Sequence, residues 1–271
     1  MKIFLIFIFM FSNISYGSDL NPIKLLSTTS TRDSGLLEYL LPFFESKYNI
    51  QIHVIALGTG QALQAAKSCN GDILLTHAIE LENKFILDGY GKSRDDLMYN
   101  DFIIIGPDND PAGIQSLSNA SDVFMKIAAS NNLFISRGDG SGTNISENNI
   151  WAFINVNPIN YSGQWYLEAG QGMGSTINIA IGKNAYTYTD RATWLNFKNK
   201  ANHSILFEGD PIMINQYGLI RLDPDRCVNA NNRSINLFHK WIISKEGQFL
   251  IGEYTINGTK LFIPNYQKNY D

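Results

Sequence analysis

Cysteine is almost missing from this chain, with only Cys69 and Cys227 among 271 residues. Two cysteines so far apart exclude a zinc finger or ribbon, whose ligands come in close pairs, and a disulfide-dense scaffold. Whether the two meet is left open by the sequence, since a disulfide requires the two Cα atoms to lie close together. Histidine is also sparse: His53, His77, His203 and His239 show no metal-ligand spacing and read as packing or surface residues. No basic block occurs and the formal net charge is -4, which argues against a nucleic-acid partner. Internal repeats and low-complexity segments are absent. The one uninterrupted apolar run, residues 3–11, is too short for an ordinary membrane span. It follows Lys2 and precedes Ser15-Tyr16-Gly17, the order of a secretory signal, so residues 1–17 are expected to be removed after Gly17. No cysteine stands near that point, which disfavours a lipid anchor. Export is therefore expected, most simply to a bacterial periplasm.

What the chain does have is hydrophobic content of 44%, enough for a substantial core. It also has three polar loops, each joining a strand to a helix. The central one is Ser136-Arg137-Gly138-Asp139-Gly140-Ser141-Gly142-Thr143. Leu133-Phe134-Ile135 before it reads as a strand end, and Ile145, Ile150, Trp151 and Ile154 after it recur at helical spacing. Glycines let such a backbone bend tightly and approach a ligand. Ser141 and Thr143 place hydroxyls at the helix start, where free N–H groups attract anions. Arg137 adds a permanently charged fork suited to an oxyanion.

Two further junctions have the same form. Residues 23–26 read as a strand running into the hydroxyl-rich segment Ser27-Thr28-Thr29-Ser30-Thr31, and Leu36, Leu37, Leu40, Leu41 and Phe44 then mark a helix that Pro42 should kink or split. Five consecutive hydroxyl residues exceed what one helix cap uses. Residues 51–57 form a β-branched strand ending in Gly58-Thr59-Gly60, which lacks the third glycine of a dinucleotide fingerprint. Residues 73–77 and 98–105 read as further strands, with a helix over 80–88 between them. Repeated βα units imply an α/β fold with mostly parallel sheets flanked by helices, and such sheets bind ligands beyond their strand carboxyl ends. The polar segment 108–112 reads as a crossing into a second lobe, and 205–211 as the return. The second lobe contains a further glycine cluster at 170–174, read as close packing, and the strand 185–189 before Asp190-Arg191. Asp190 is a natural helix cap, and Arg191 is either a second positive contact or a surface partner of Asp190. Lobe 1 is thus assigned to 18–107 plus 210–271, and lobe 2 to 108–209.

The segments STTSTRDSGLL, LGTGQAL, MYNDFIIIGP, SRGDGSGTN, YLEAGQGMG, YTYTDRATW and EGDP together resemble the tungstate-binding proteins of the TupA type, substrate-binding components of ABC importers. The resemblance covers nearly the whole mature chain in order. It implies a two-lobed periplasmic binding fold (type II-like) with the ligand cleft between the lobes. Ser27 stands where that family usually has threonine, and Asn144 where it often has histidine. The Arg137-x-Asp139-Gly140-Ser141-Gly142-Thr143 loop is also similar to one in periplasmic phosphate-binding proteins, which keeps phosphate, besides molybdate, as an alternative ligand.

On this resemblance Thr29, Ser30 and Thr59 donate from lobe 1, and Arg137, Ser141, the Gly142 backbone, Thr143 and Arg191 from lobe 2. Thr28 and Thr31 stand next in line. Asp139 is expected to orient Arg137, because its charge would repel a dianion, and Asp190 to support or cap. Tungstate, an ABC permease and a monomeric state are implied, with no cofactor, no metal cation and no catalysis. A hydrolase with Ser141 as nucleophile is the contrasting reading. It lacks the G-x-S-x-G elbow, since Asp139 occupies the first glycine position.

Overall fold

The computed structural model describes residues 21–228 and 232–267, so the expected signal segment 1–17 lies outside the described residues. Lobe 1 opens with β1 (Ile23–Thr28), the short helix α1 (Thr29–Asp33) and α2 (Leu36–Tyr48). Then follow β2 (Ile52–Leu57), α3 (Thr59–Lys67), β3 (Ile73–Thr76) and α4 (Ile79–Leu87). The three strands are parallel in the order β2-β1-β3. Pro42 does not split α2, which runs unbroken to a left-handed Asn49. Burial of Leu36, Leu37, Leu40, Leu41 and Phe44 along one stripe offsets the missing backbone donor.

The chain then enters β4 (Gly91–Pro107), a 17-residue strand. Lobe 2 follows as α5 (Ala120–Ser130), β5 (Phe134–Ser136), α6 (Gly142–Phe153), β6 (Tyr166–Glu168), α7 (Met173–Gly182), β7 (Tyr186–Asp190), α8 (Arg191–Asn196) and β8 (His203–Phe207). Return to lobe 1 is through β9 (Ile214–Leu222), then α9 (Asn232–Ile242) and α10 (Lys245–Glu253). A small hairpin, β10 (Thr255–Ile256) with β11 (Thr259–Lys260), precedes β12 (Ile263–Pro264), which pairs with β4.

β4 belongs to both lobes. From Gly91 to Asp101 it pairs antiparallel with β9, and from Phe102 to Pro107 with β7 and β8. The change of partners falls where Asp101 faces Ile214, ahead of the polar segment 108–112. Each lobe keeps its own core. Phe44, Phe238 and Trp241 pack α2 against α9, with ring centroids 5.1 and 5.4 Å from Phe44. Phe124, Phe134, Trp151, Tyr166 and Tyr188 fill lobe 2. Fully burying each such side chain contributes roughly 1.5–3 kcal/mol.

The two cysteines do meet. Cys69, just after α3, and Cys227, beyond β9, form a disulfide with Cα atoms 5.4 Å apart.

Candidate functional site

Three helix N-termini meet where the lobes touch, through Ser30, Thr59, His77 and Gly142. Each begins where a parallel strand ends: α1 after β1, α3 after β2 and α6 after β5 with its loop. Thr28 caps α1 by accepting the Thr31 N–H at 3.2 Å, and Ser141 caps α6 by accepting the Asn144 N–H at 3.3 Å. Such ends leave backbone N–H groups without intrahelical partners. The lobes touch directly here. Gly142 N–H donates to Thr59 Oγ1 at 3.2 Å across the cleft. A methyl group built on Gly142 would stand 2.8 Å from the His77 carbonyl oxygen and 2.9 Å from its ring Nδ1, so glycine is required for this approach.

Arg137 is buried beside the loop it belongs to. Its Nη2 donates to Asp139 Oδ2 at 2.5 Å and its Nε to the Gln171 carbonyl at 3.3 Å. Asp139 also accepts the Ser141 N–H at 3.1 Å, which ties the arginine to the helix start. Thr143 is wholly buried, and its hydroxyl has no hydrogen-bond partner among the described residues. A buried orphan hydroxyl at a helix N-terminus is the kind of group a bound anion would satisfy. Ser30 is buried and Thr29 is half-buried. Asp190 is fully buried and caps α8, accepting the backbone N–H and hydroxyl of Thr193 at 2.8 and 2.7 Å. Burial pushes its carboxyl up, while those bonds and the positive charge of Arg137 hold it down.

The loop is braced from beneath by Glu147 on α6. Ser136 Oγ, Trp151 Nε1 and Tyr166 OH donate to its carboxylate at 2.7, 3.0 and 2.9 Å. Ser136 Oγ in turn accepts Gly138 N–H and Asn144 Nδ2, and Asn144 Oδ1 accepts Gly140 N–H. Burial pushes the Glu147 carboxyl up to about 7, against the pull of its three donors. Its folded pKa lies above its unfolded value of about 4.3, so its contribution to stability is full below that value and is lost as pH rises through 7. Relative to wild type, Glu147→Gln is expected to gain roughly 3 kcal/mol between pH 4.5 and 7.5. Urea unfolding of both proteins across that range checks it; a pH-independent difference would reject it.

One sequence expectation changes at this site: Arg191 does not pair with Asp190. Its guanidinium grips Asp101 with Nε at 2.7 Å and Nη2 at 2.5 Å, and Glu208 with Nη1 at 2.6 Å. The hydrogen bond to Asp101 leads in pushing its pKa further up. These three residues brace the passage between the lobes. His77, read as packing or surface, is buried, and it also meets the hydroxyls of the α1 end. Its Nε2 is 3.1 Å from Ser30 Oγ and 3.2 Å from Thr28 Oγ1, its Nδ1 is 2.9 Å from Asn215 Oδ1, and its ring stacks on Tyr217. Burial drives its pKa down to about 4. The turn carrying His77 is held by buried Glu82, which accepts from Thr76 Oγ1, Ala78 N–H and Arg94 Nε. Nothing in the sequence marked His77 or Asn215, since a lone histidine after a strand has no pattern.

The His77 ring nitrogens face Ser30, Thr28 and Asn215, so Ser141 has no histidine base bonded to it. Ser30, His77 and Asn215 form a serine–histidine–amide chain, with Ser30 only 2% exposed. A cavity of about 320 Å³ opens alongside, lined by His77, Phe102, Gly142, Ile145, Ile214 and Asn215. Ser30, Thr59 and Arg137 do not line it, so it neighbours the donor cluster rather than containing it. Among the described residues no cluster of acidic, histidine or cysteine side chains could hold a metal ion. Among them, too, no helix is long and apolar enough to cross a membrane.

Two lobes joined by shared antiparallel strands, with strand ends and helix N-termini facing a polar cleft, define a binding protein of the periplasmic type. A family model described as PBP superfamily domain matches residues 18–246. The tungstate-binding protein TupA of Peptoclostridium acidaminophilum is 44% identical over 250 residues, covering 91% of this chain and 86% of that protein. TupA of Campylobacter jejuni is 35% identical over 238 residues, covering 86% and 87%. The solved structure of the tungstate-binding TupA from Desulfovibrio alaskensis G20 superposes with a TM-score of 0.79 at 40% identity, covering 91% of this chain and all of that one. The chain belongs to the TupA family of ABC-transporter substrate-binding proteins.

Proposed function

We propose that this protein is exported, captures tungstate between its lobes and delivers it to the membrane permease of an ABC importer, acting as a monomer without cofactor or catalysis. The observation that carries this reading is the pairing of a buried arginine fork at Arg137 with the orphan hydroxyl of Thr143. Thr29, Ser30 and Thr59 donate from lobe 1, and Arg137, Ser141, the Gly142 N–H and Thr143 from lobe 2. Asp139 aims Arg137 and Asp190 caps α8 behind it. Arg191, already carrying two carboxylates, acts on the passage between lobes rather than on the anion. The disulfide suits an oxidising compartment.

Burying a dianion strips strongly held water, so its donors must replace that hydration. Charge-assisted hydrogen bonds contribute roughly 1.5–3 kcal/mol each. Several together exceed the roughly 8 kcal/mol that submicromolar affinity requires. Donors from both lobes make the closed form the preferred liganded state. Tungstate is fully deprotonated at neutral pH and suits a site of donors alone, whereas phosphate keeps a proton that asks for an acceptor.

Calorimetric competition among tungstate, molybdate, sulfate and phosphate on the mature protein tests the assignment. Stoichiometric, tight tungstate binding with no turnover of p-nitrophenyl phosphate is the expected outcome. Tight phosphate binding with no response to tungstate would overturn it.

A further inference from the structure

Each cleft hydroxyl has one hydrogen, and where that hydrogen points decides whether the cleft offers an anion a donor or a lone pair. Ser30 and Thr28 both face His77 Nε2, and Thr28 Oγ1 is also tied to Thr31 Oγ1 at 2.7 Å. With the ring hydrogen on Nδ1, Nε2 can only accept, and its lone pair competes with the cleft for the Ser30 hydrogen. With the ring hydrogen on Nε2, the ring donates instead and the Ser30 hydroxyl is free to point at a ligand.

The surroundings permit either arrangement. Nδ1 meets the Asn215 side-chain amide, whose nitrogen lies 2.7 Å from Asn100 Oδ1 and 3.3 Å from Tyr217 OH. Rotating the Asn215 and Asn100 amides together keeps every one of these bonds with its direction reversed. Asn215 nitrogen then donates to Nδ1, Asn100 nitrogen donates to Asn215 oxygen, and Tyr217 OH becomes a donor. In the orientation found, Asn100 Nδ2 is buried without a partner. The rotation replaces that orphan amino group with an orphan oxygen. Asn100 and Asn215 face each other on β4 and β9, the strands that join the lobes. Burial keeps the ring neutral, holding a single hydrogen at neutral pH.

Resting on the oxyanion reading above, we propose that His77 is a positioning residue whose tautomer, set through Asn215 and Asn100, makes the Ser30 hydroxyl a donor to a bound, proton-free oxyanion. Bound anion and Nε2–H tautomer favour each other, because that tautomer leaves no ring lone pair to compete for the Ser30 hydrogen. The relay therefore tunes the cleft toward bare tetrahedral dianions and against anions that carry a proton.

Two-bond ¹H–¹⁵N correlation of the imidazoles, with and without sodium tungstate, reads the tautomer directly, and His77→Gln identifies the His77 signals. The bound protein is expected to show Nε2–H. Asn215→Asp keeps the side chain's shape but can only accept, so its spectra are expected to hold Nδ1–H even with sodium tungstate; affinity is expected to fall roughly 10- to 100-fold, through that tautomer and through the new carboxylate's repulsion of the dianion. Asn215→Gln, which retains a reversible amide, should lose less. Tight tungstate binding with Nδ1–H or a doubly protonated ring would overturn the relay while leaving the oxyanion reading intact. Absence of tungstate binding by the wild type would overturn both.

Discussion

Replacing Arg137 with alanine is expected to weaken tungstate binding by at least about a hundredfold, as follows from removing one member of a buried charged pair. Two effects act in the same direction. The fork at Arg137 is lost, and Asp139, which it neutralises at 2.5 Å, is left to repel the dianion. Asp139 keeps its bond from the Ser141 N–H, so its charge stays beside the helix start. The double variant Arg137→Ala, Asp139→Asn separates these contributions: it removes the stranded carboxylate and should recover part of the affinity, not all. Calorimetry on the wild type, both single variants and the double variant gives the coupling. Circular dichroism and urea unfolding verify that the fold survives. Unchanged affinity in the alanine variant would remove Arg137 from the proposed site.

The second large effect concerns stability rather than binding. Substituting both Cys69 and Cys227 with serine is expected to destabilise the protein by roughly 2–5 kcal/mol. The bond closes a loop across a sequence separation of 158, so it restricts the unfolded chain strongly. It lies near Lys24, Gly71 and Asp72, at the ends of β1 and β3 opposite the cleft. Tungstate affinity below the unfolding transition should therefore stay the same. Urea midpoints of the wild type and the double serine variant, measured at equal pH, check the stability change. A difference under about 0.5 kcal/mol would mean the bond adds little beyond what the lobe-1 core supplies.

Legibility differed sharply between local and distant features. The strand–polar turn–helix units around Thr28, Thr59 and Ser141 were readable because strand alternation, helix spacing and capping residues all act over a few residues. Asp190 as a cap was readable for the same reason. The change of partners along β4 was not, since one continuous strand serves both halves and its partners, β9 and β7, come from distant parts of the chain. Arg191 looked available only because its partners, Asp101 and Glu208, come from other strands or their ends.

By itself, then, the chain's sequence determined an α/β construction, the three polar loops and the family they belong to. Tertiary structure alone decided which groups meet. His77 reaches Ser30 across 47 positions and Asn215 across 138, and the cysteines join across 158. Local order follows from steric and hydrogen-bonding preferences within a turn or two of chain. Distant pairing follows from how the two sheets share their crossing strands, which no short window of residues records.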